Sequence, residues 1–337
     1  MTTENQLSTS TITKKKDLQK WRRPAVYAVF VIILAILPQI FNSQYMMHIL
    51  ILVFIYVIVA SSFRTITISG QFPLAHGAFM GIGAYVAAIL AKSFGWSPWF
   101  TIPTAALAAM AIGMLIGFPF SRLRTIYYAM GSVFFGLGII YIIYVGGNIT
   151  GGYSGLPGVR PIFTGSRIPY YYLFLGVSIL SLIALYRFEF CRIGTDLKAI
   201  SQSYLVASSV GINESFYRIL ILGFGCFFAG LAGACYAHYN RVVTPSSFNL
   251  AATFWMTMYV LVGGIDNFAG PIIGTFILVI IPEYFRDLKM YSPYISAGIL
   301  IFVVYFMPEG LVGIPKKLKS LYLKINKRGK NSGAAGN

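Results

Sequence analysis

The chain has 337 residues, of which 57% are hydrophobic, 16% aromatic and only 10% charged. A soluble domain has roughly a quarter of its residues charged, so this composition excludes an ordinary soluble enzyme, and its hydrophobicity excludes disorder. The net charge of +17 points to nucleic acid only where cations gather on one folded face, and here they fall between apolar runs.

The runs lie at 25–41, 45–63, 74–91, 99–119, 125–146, 169–186, 217–238, 251–264, 269–285 and 292–307. A span takes about 20 residues. The pattern predicts an all-α, polytopic integral membrane protein with about ten membrane segments, some of them broken or re-entrant. The stretch 251–264 is the weakest span and the re-entrant candidate. The first run follows a polar tail and has no small-residue cleavage site before the next span, so it reads as a span and not a signal peptide. Residues 1–24 form a basic tail, 25–314 a membrane domain and 315–337 a second basic tail.

With the N-terminus inside, 20 of the 26 Lys and Arg fall on inner segments. Only Lys92, Arg160, Arg167, Arg241, Arg286 and Lys289 fall outside. The positive-inside rule then predicts that both termini are cytoplasmic. The cations meet anionic lipid headgroups there, with no nucleic acid required. Leu318, Leu321, Tyr322 and Ile325 recur at helical spacing among lysines, which suits either a helix on the inner membrane surface or a solvated basic tail.

The glycine-rich stretch 70–85 contains Gly70, Gln71, Pro73, His76, Gly77, Gly81 and Ala84. The small-xxx-small spacing of Gly77, Gly81 and Ala84 lets helix backbones approach. Helix packing explains the stretch as well as a broken segment lining a substrate path does. The second cluster, 146–158, includes Thr150, Gly151 and Gly152 on the outer side. It is too rich in glycine for a stable helix, and is either a flexible turn or a surface that meets something arriving from outside. The inner loop 187–217 predicts an amphipathic helix from Gly194 to Gly211, with Thr195 as N-cap and Asn213 capping the next span. Leu197, Ile200, Tyr204 and Ala207 share one face, which rests on the bilayer or docks into a cytosolic partner. In the third cluster, 263–271, Asp266 is expected to cap the following helix.

Ionisable residues within spans are functional suspects. Here they are few: His48, His76, His238 and Glu283. The histidines read as hydrogen-bonded packing residues. Cys191, Cys226 and Cys235 are too few and scattered for a disulfide framework or a metal site. No nucleotide loop, zinc-protease motif, nucleophile elbow or carboxylate pair is present in the sequence, so neither catalysis nor a metal is expected. The shortage of mid-span carboxylates counts against an ion-coupled secondary transporter.

Several segments together resemble the permease subunits of branched-chain amino acid ABC importers, the LivM type. They are Gly70 through Tyr85, Arg192 through Asn213, Phe227 through Ala234, Pro245 through Phe248, Val262 through Gly264, and Gly270-Pro271. Thr150-Gly151-Gly152, Gly155-Leu156 and Pro308 through Leu311 add to the likeness. The order and spacing of these motifs cover about 60–314. Two departures stand out: Ala75 precedes His76 where the family usually has Gly, and Ser201-Gln202 follows Ile200 where it usually has Arg-Glu.

The resemblance implies a permease in a prokaryotic cell (inner) membrane. Its partners would be a second, LivH-type permease, two ATPase subunits and an extracytoplasmic substrate-binding protein. The chain would carry no cofactor, since ATP is used by the separate ATPase subunits. Gly70, Gln71, His76, Gly77, Gly81, Thr150, Gly151 and Gly152 are candidates for the substrate path. Gly194, Leu197, Lys198, Ala199, Ile200, Tyr204, Ala207 and Gly211 are candidates for the helix that couples to the ATPase. The family also includes importers of urea, short amides and other small polar solutes.

Overall fold

The computed structural model describes residues 32–39 and 43–284 except Arg124, together with Tyr294, Ala297, Gly298, Ile301, Tyr305, Gly310 and Leu311. The two basic tails and most of the run 292–307 lie outside the described residues, as does the inner-surface segment 316–327. Residues 32–39 are helical. Ten helices follow: α1 (Gln44–Thr67), α2 (His76–Ser93), α3 (Pro98–Phe120), α4 (Thr125–Val145), α5 (Ile168–Phe190), α6 (Arg192–Gln202), α7 (Tyr204–Ser209), α8 (Glu214–Asn240), α9 (Leu250–Gly263) and α10 (Gly270–Tyr284). Each apolar run from 45 to 285 coincides with one helix. A single helical turn, Gly147–Thr150, follows α4.

Five helices among the described residues, α1, α3, α4, α5 and α8, are long and apolar enough to cross a membrane. The chain is thus an all-α, multi-pass membrane protein. α9 has 14 residues and extends about 21 Å at 1.5 Å per residue, short of the roughly 30 Å hydrocarbon core. Its limits are set locally. The Asn249 side chain accepts the N–H of Ala252 at 3.1 Å, and Gly264 ends the helix at φ 107°.

α8 is the central helix and lies against α1, α2 and α3. α1 also meets α5, α9 and α10, and the last two form a hairpin. The crossing of α2 and α8 depends on missing side chains. A methyl group on Gly83 would meet the Gly230 backbone, and one on Gly233 would meet the Met80 carbonyl. Polar backbone groups are satisfied within helices, as lipid requires, so the outer surfaces are free to be apolar. Leu115, Phe118, Tyr127, Phe134, Tyr141 and Leu180 are all exposed on α3, α4 and α5.

The two ends of the bundle are held by different contacts. At one end, Arg218 pairs with Glu214 at 2.8 Å and donates to the Leu123 carbonyl at 3.2 Å. At the other, Arg167 donates to the Gln44 carbonyl at 2.7 Å and Arg160 to the Gly95 carbonyl at 2.9 Å. The only strands among the described residues, β1 (Leu156–Pro157) and β2 (Val242–Val243), pair antiparallel at this second end.

Candidate functional site

The chain turns between α5 and α6 at Cys191, and the close approach there needs Gly194 in the first turn of α6, where a methyl group would meet the Glu189 carbonyl. This turn carries Glu189 inward. Its carboxylate accepts two hydrogen bonds from Arg64 of α1, at 2.6 Å and 3.1 Å, and one from Lys198 of α6 at 3.1 Å. Arg64 also donates through Nε to the Ile265 carbonyl at 2.6 Å and stacks over Phe268. One carboxylate therefore joins α1, α5 and α6, and Arg64 extends the network to the α9–α10 turn. Sequence reasoning assigned Arg64 to an inner loop and left Glu189 out of the ionisable residues in spans. Its available signal was a lone Glu at the end of an apolar helix, with an Arg likewise placed on another.

The amphipathic helix expected from Gly194 to Gly211 is two helices. α6 starts at Arg192 with Cys191 as its N-cap residue, so Thr195 is not the cap. Ser203, at φ −159°, breaks the chain, and its side chain caps α7 by accepting from Val206 N–H. Hydroxyl side chains compete with the backbone for hydrogen bonds, which favours such breaks. Gly211 follows α7 at φ 85°, and Asn213 caps α8 as expected, accepting from Phe216 N–H at 3.1 Å.

The expected apolar stripe is already covered by this chain. Leu197 is 1% exposed, and Gly194, Ile200 and Ala207 are buried. Lys198, Ala199 and Tyr204 are half-buried. Leu205, Val206 and Val210 are the exposed apolar side chains here, and Val206 is 64% exposed. The sequence pattern missed them because it carried one helical periodicity through the break at Ser203.

The glycine segment is divided among several contacts. Gly70, at φ 78°, lies 3.5 Å from Ser201 of α6, measured from an added methyl. Gln71 is buried, and Ser69 donates to its side-chain oxygen at 3.5 Å. His76 is fully buried, with Nε2 2.9 Å from Ser62 Oγ and its ring edge-on to Phe63. Gly77 donates its N–H to Thr253 Oγ1 at 3.0 Å, and Gly81 faces Phe248. These two glycines therefore admit the 248–253 segment, while the close helix crossing belongs to Gly83.

Thr150, Gly151 and Gly152 form a separate group. Thr150 Oγ1 donates to the Ile143 carbonyl at 2.6 Å, and Gly151 and Gly152 take φ values of 75° and 56°. The turn is ordered by left-handed glycines followed by β1. The adjoining β2 meets α2 at Tyr85, whose hydroxyl donates to the Val243 carbonyl at 3.2 Å. Tyr85 lies nine residues beyond His76, about 14 Å along the helix. The eight path candidates therefore fall into two groups at different levels of the bundle.

The two remaining histidines serve packing. His48 Nδ1 lies 2.6 Å from Tyr239 Oη. His238 bridges Thr101 Oγ1 at 2.6 Å and the Arg160 carbonyl at 2.7 Å. Asp266 lies ahead of the first turn of α10, which contains no acidic residue, so it does not cap that helix as expected. Cys226 and Cys235 are buried free thiols.

A family model described as branched-chain amino acid transport system / permease component matches residues 45–308. The high-affinity branched-chain amino acid transport system permease protein LivM of Escherichia coli (strain K12) is 27% identical over 328 residues, covering 89% of this chain and 77% of the relative. LivM of Salmonella typhimurium is 26% identical over 327 residues, covering 88% and 77%. The E. coli (strain K12) permease protein LivH is 32% identical over 146 residues, 42% of this chain and 46% of that protein. No solved structure matches the chain. The matched region runs from the first residues of α1 past α10 and takes in the glycine segment and α6–α7: the chain belongs to the branched-chain amino acid transport system permease family.

Proposed function

We propose that this chain is one of two permease subunits of an ATP-driven importer of branched-chain amino acids. An extracytoplasmic substrate-binding protein delivers the solute to the end that carries the 146–158 turn. A second, LivH-type permease completes the path, and two separate ATPase subunits at the opposite end use ATP. The observation that carries this reading is the family match across residues 45–308. The α6–α7 pair supports it, since the exposed Leu205, Val206 and Val210 are an apolar surface for an ATPase groove. The buried Glu189 network ties that pair to α1 and to the α9–α10 turn, so a push on α6–α7 reaches the membrane helices. Both termini are cytoplasmic in this reading.

The test is purification with the subunits encoded beside it, followed by uptake into proteoliposomes from a panel of leucine, isoleucine, valine, urea and short amides. Uptake of the three branched amino acids that needs both ATP and the binding protein is the expected result. Uptake of urea or an amide without leucine would overturn the substrate assignment.

A further inference from the structure

α9 begins beside the middle of α1, a helix long enough to cross a membrane. Tyr56 lies halfway along α1 and, together with the start of α9, lines a cavity of about 300 Å³. The start of α9 is fixed there by contacts already described: Thr253 accepts from Gly77, and Phe248 packs on Gly81. The cavity lies at the lower end of the roughly 300–1,000 Å³ found for small-ligand sites. That is room for a single amino acid.

The lining is chemically divided. Ala251 and Ala252, in the first turn of α9, and the hydroxyl residues Ser246 and Ser247 form one side. The Ala252 N–H is taken by Asn249, while the N–H groups just ahead of it and the helix dipole leave the terminus favourable for a carboxylate. Tyr56, Tyr236 and Tyr259 form another side. Tyr259 is 7% exposed, and its hydroxyl makes no hydrogen bond among the described residues. Aromatic faces and free hydroxyl oxygens suit an ammonium group. Met80, Met256 and Trp255 complete the wall, and methionine adapts to branched apolar shapes. No charged side chain lines the cavity among the described residues, so a solute with a net charge would be uncompensated.

We infer that this cavity holds one zwitterionic amino acid with a branched apolar side chain midway across the membrane. The carboxylate meets the start of α9 and the two serines, the ammonium meets the tyrosines, and the side chain lies among Met80, Trp255 and Met256. Helix ends at mid-membrane serve anionic groups of solutes in other transport folds by the same electrostatics. The inference rests on the proposed import of branched-chain amino acids, and it moves the binding residues away from the glycine segment to the helix that the segment admits.

The test uses the assembled importer. Ala252→Cys is treated with a small methanethiosulfonate reagent with and without leucine, lysine or glutamate, and wild type reports the background from native thiols. Leucine in excess slows modification several-fold, while lysine and glutamate do not. In parallel, Ala252→Trp fills the cavity and abolishes leucine uptake. Cysteine modification that leucine leaves unchanged overturns the site, whatever Ala252→Trp does to assembly. Wild-type uptake of leucine together with normal uptake by assembled Ala252→Trp also overturns the site, and leaves the proposed function standing. Wild-type complexes that import none of the three amino acids overturn both.

Discussion

The guanidinium of Arg64 grips the carboxylate of Glu189 with two hydrogen bonds, at 2.6 Å and 3.1 Å, across 125 residues of chain. Their side chains are 2% and 3% exposed, so each charge is out of water and depends on the other. Breaking a buried pair by removing one partner costs about 3–5 kcal/mol. Glu189→Gln and Arg64→Gln should each lower the thermal midpoint of the detergent-solubilised chain, read by fluorescence-detected size exclusion. The double variant Arg64→Met/Glu189→Leu should recover part of the loss, because no uncompensated charge remains. Recovery stays incomplete, since the Ile265 carbonyl loses its donor. Lys198→Gln should cost at most about 1 kcal/mol, as expected of an exposed partner, because the Lys198 side chain is 43% exposed. Equal midpoints for all four variants would mean that the pair is not a structural tie.

The α2–α8 crossing gives a steric prediction. A side chain on Gly83 would meet the Gly230 backbone, which cannot rotate away. Gly83→Val should therefore cost at least the roughly 1–3 kcal/mol of an overpacked core, and folded protein should fall accordingly. Gly138 has open space around it, so Gly138→Ala should leave yield unchanged. A Gly83→Val protein with wild-type yield and midpoint would show that the helices separate easily.

The α6–α7 pair separates coupling from folding. Leu197 is buried within this chain, so Leu197→Asp should destabilise the permease itself. Val206 and Leu205 are exposed, so Val206→Asp and Leu205→Asp should leave the permease folded. They should release the ATPase during purification, or abolish stimulation of its activity by loaded binding protein. Undiminished co-purification and stimulation in both exposed-site variants would remove α7 from the ATPase contact.

Topology is tested at the tails. With both termini cytoplasmic, as the Lys and Arg distribution predicts, single cysteines placed in 1–24 and 315–337 should resist a membrane-impermeant thiol reagent in intact cells. They should react once the membrane is opened. A C-terminal cysteine labelled in intact cells would make the number of spans odd.

The sequence by itself determined the class of the molecule and the places of its long apolar helices. Apolar runs of span length are local properties, and lipid leaves a helix as the only solution for each, so α1, α3, α4, α5 and α8 emerge where the runs lie. Asn213 and Asn249 show the same locality, since a cap bonds an amide three residues away. The family was legible too, because its motifs keep their order along the chain. What only the tertiary structure decided is which residues meet. Glu189 looks like any helix-end carboxylate until α1 brings Arg64 to it, and Tyr56, Tyr236 and Tyr259 share no spacing until three helices bring them to one cavity. The stripe of Leu197 and Ile200 shows the same limit. An amphipathic pattern states that a face must be covered, but whether lipid, a partner or the chain's own helices cover it is set by contacts between distant segments.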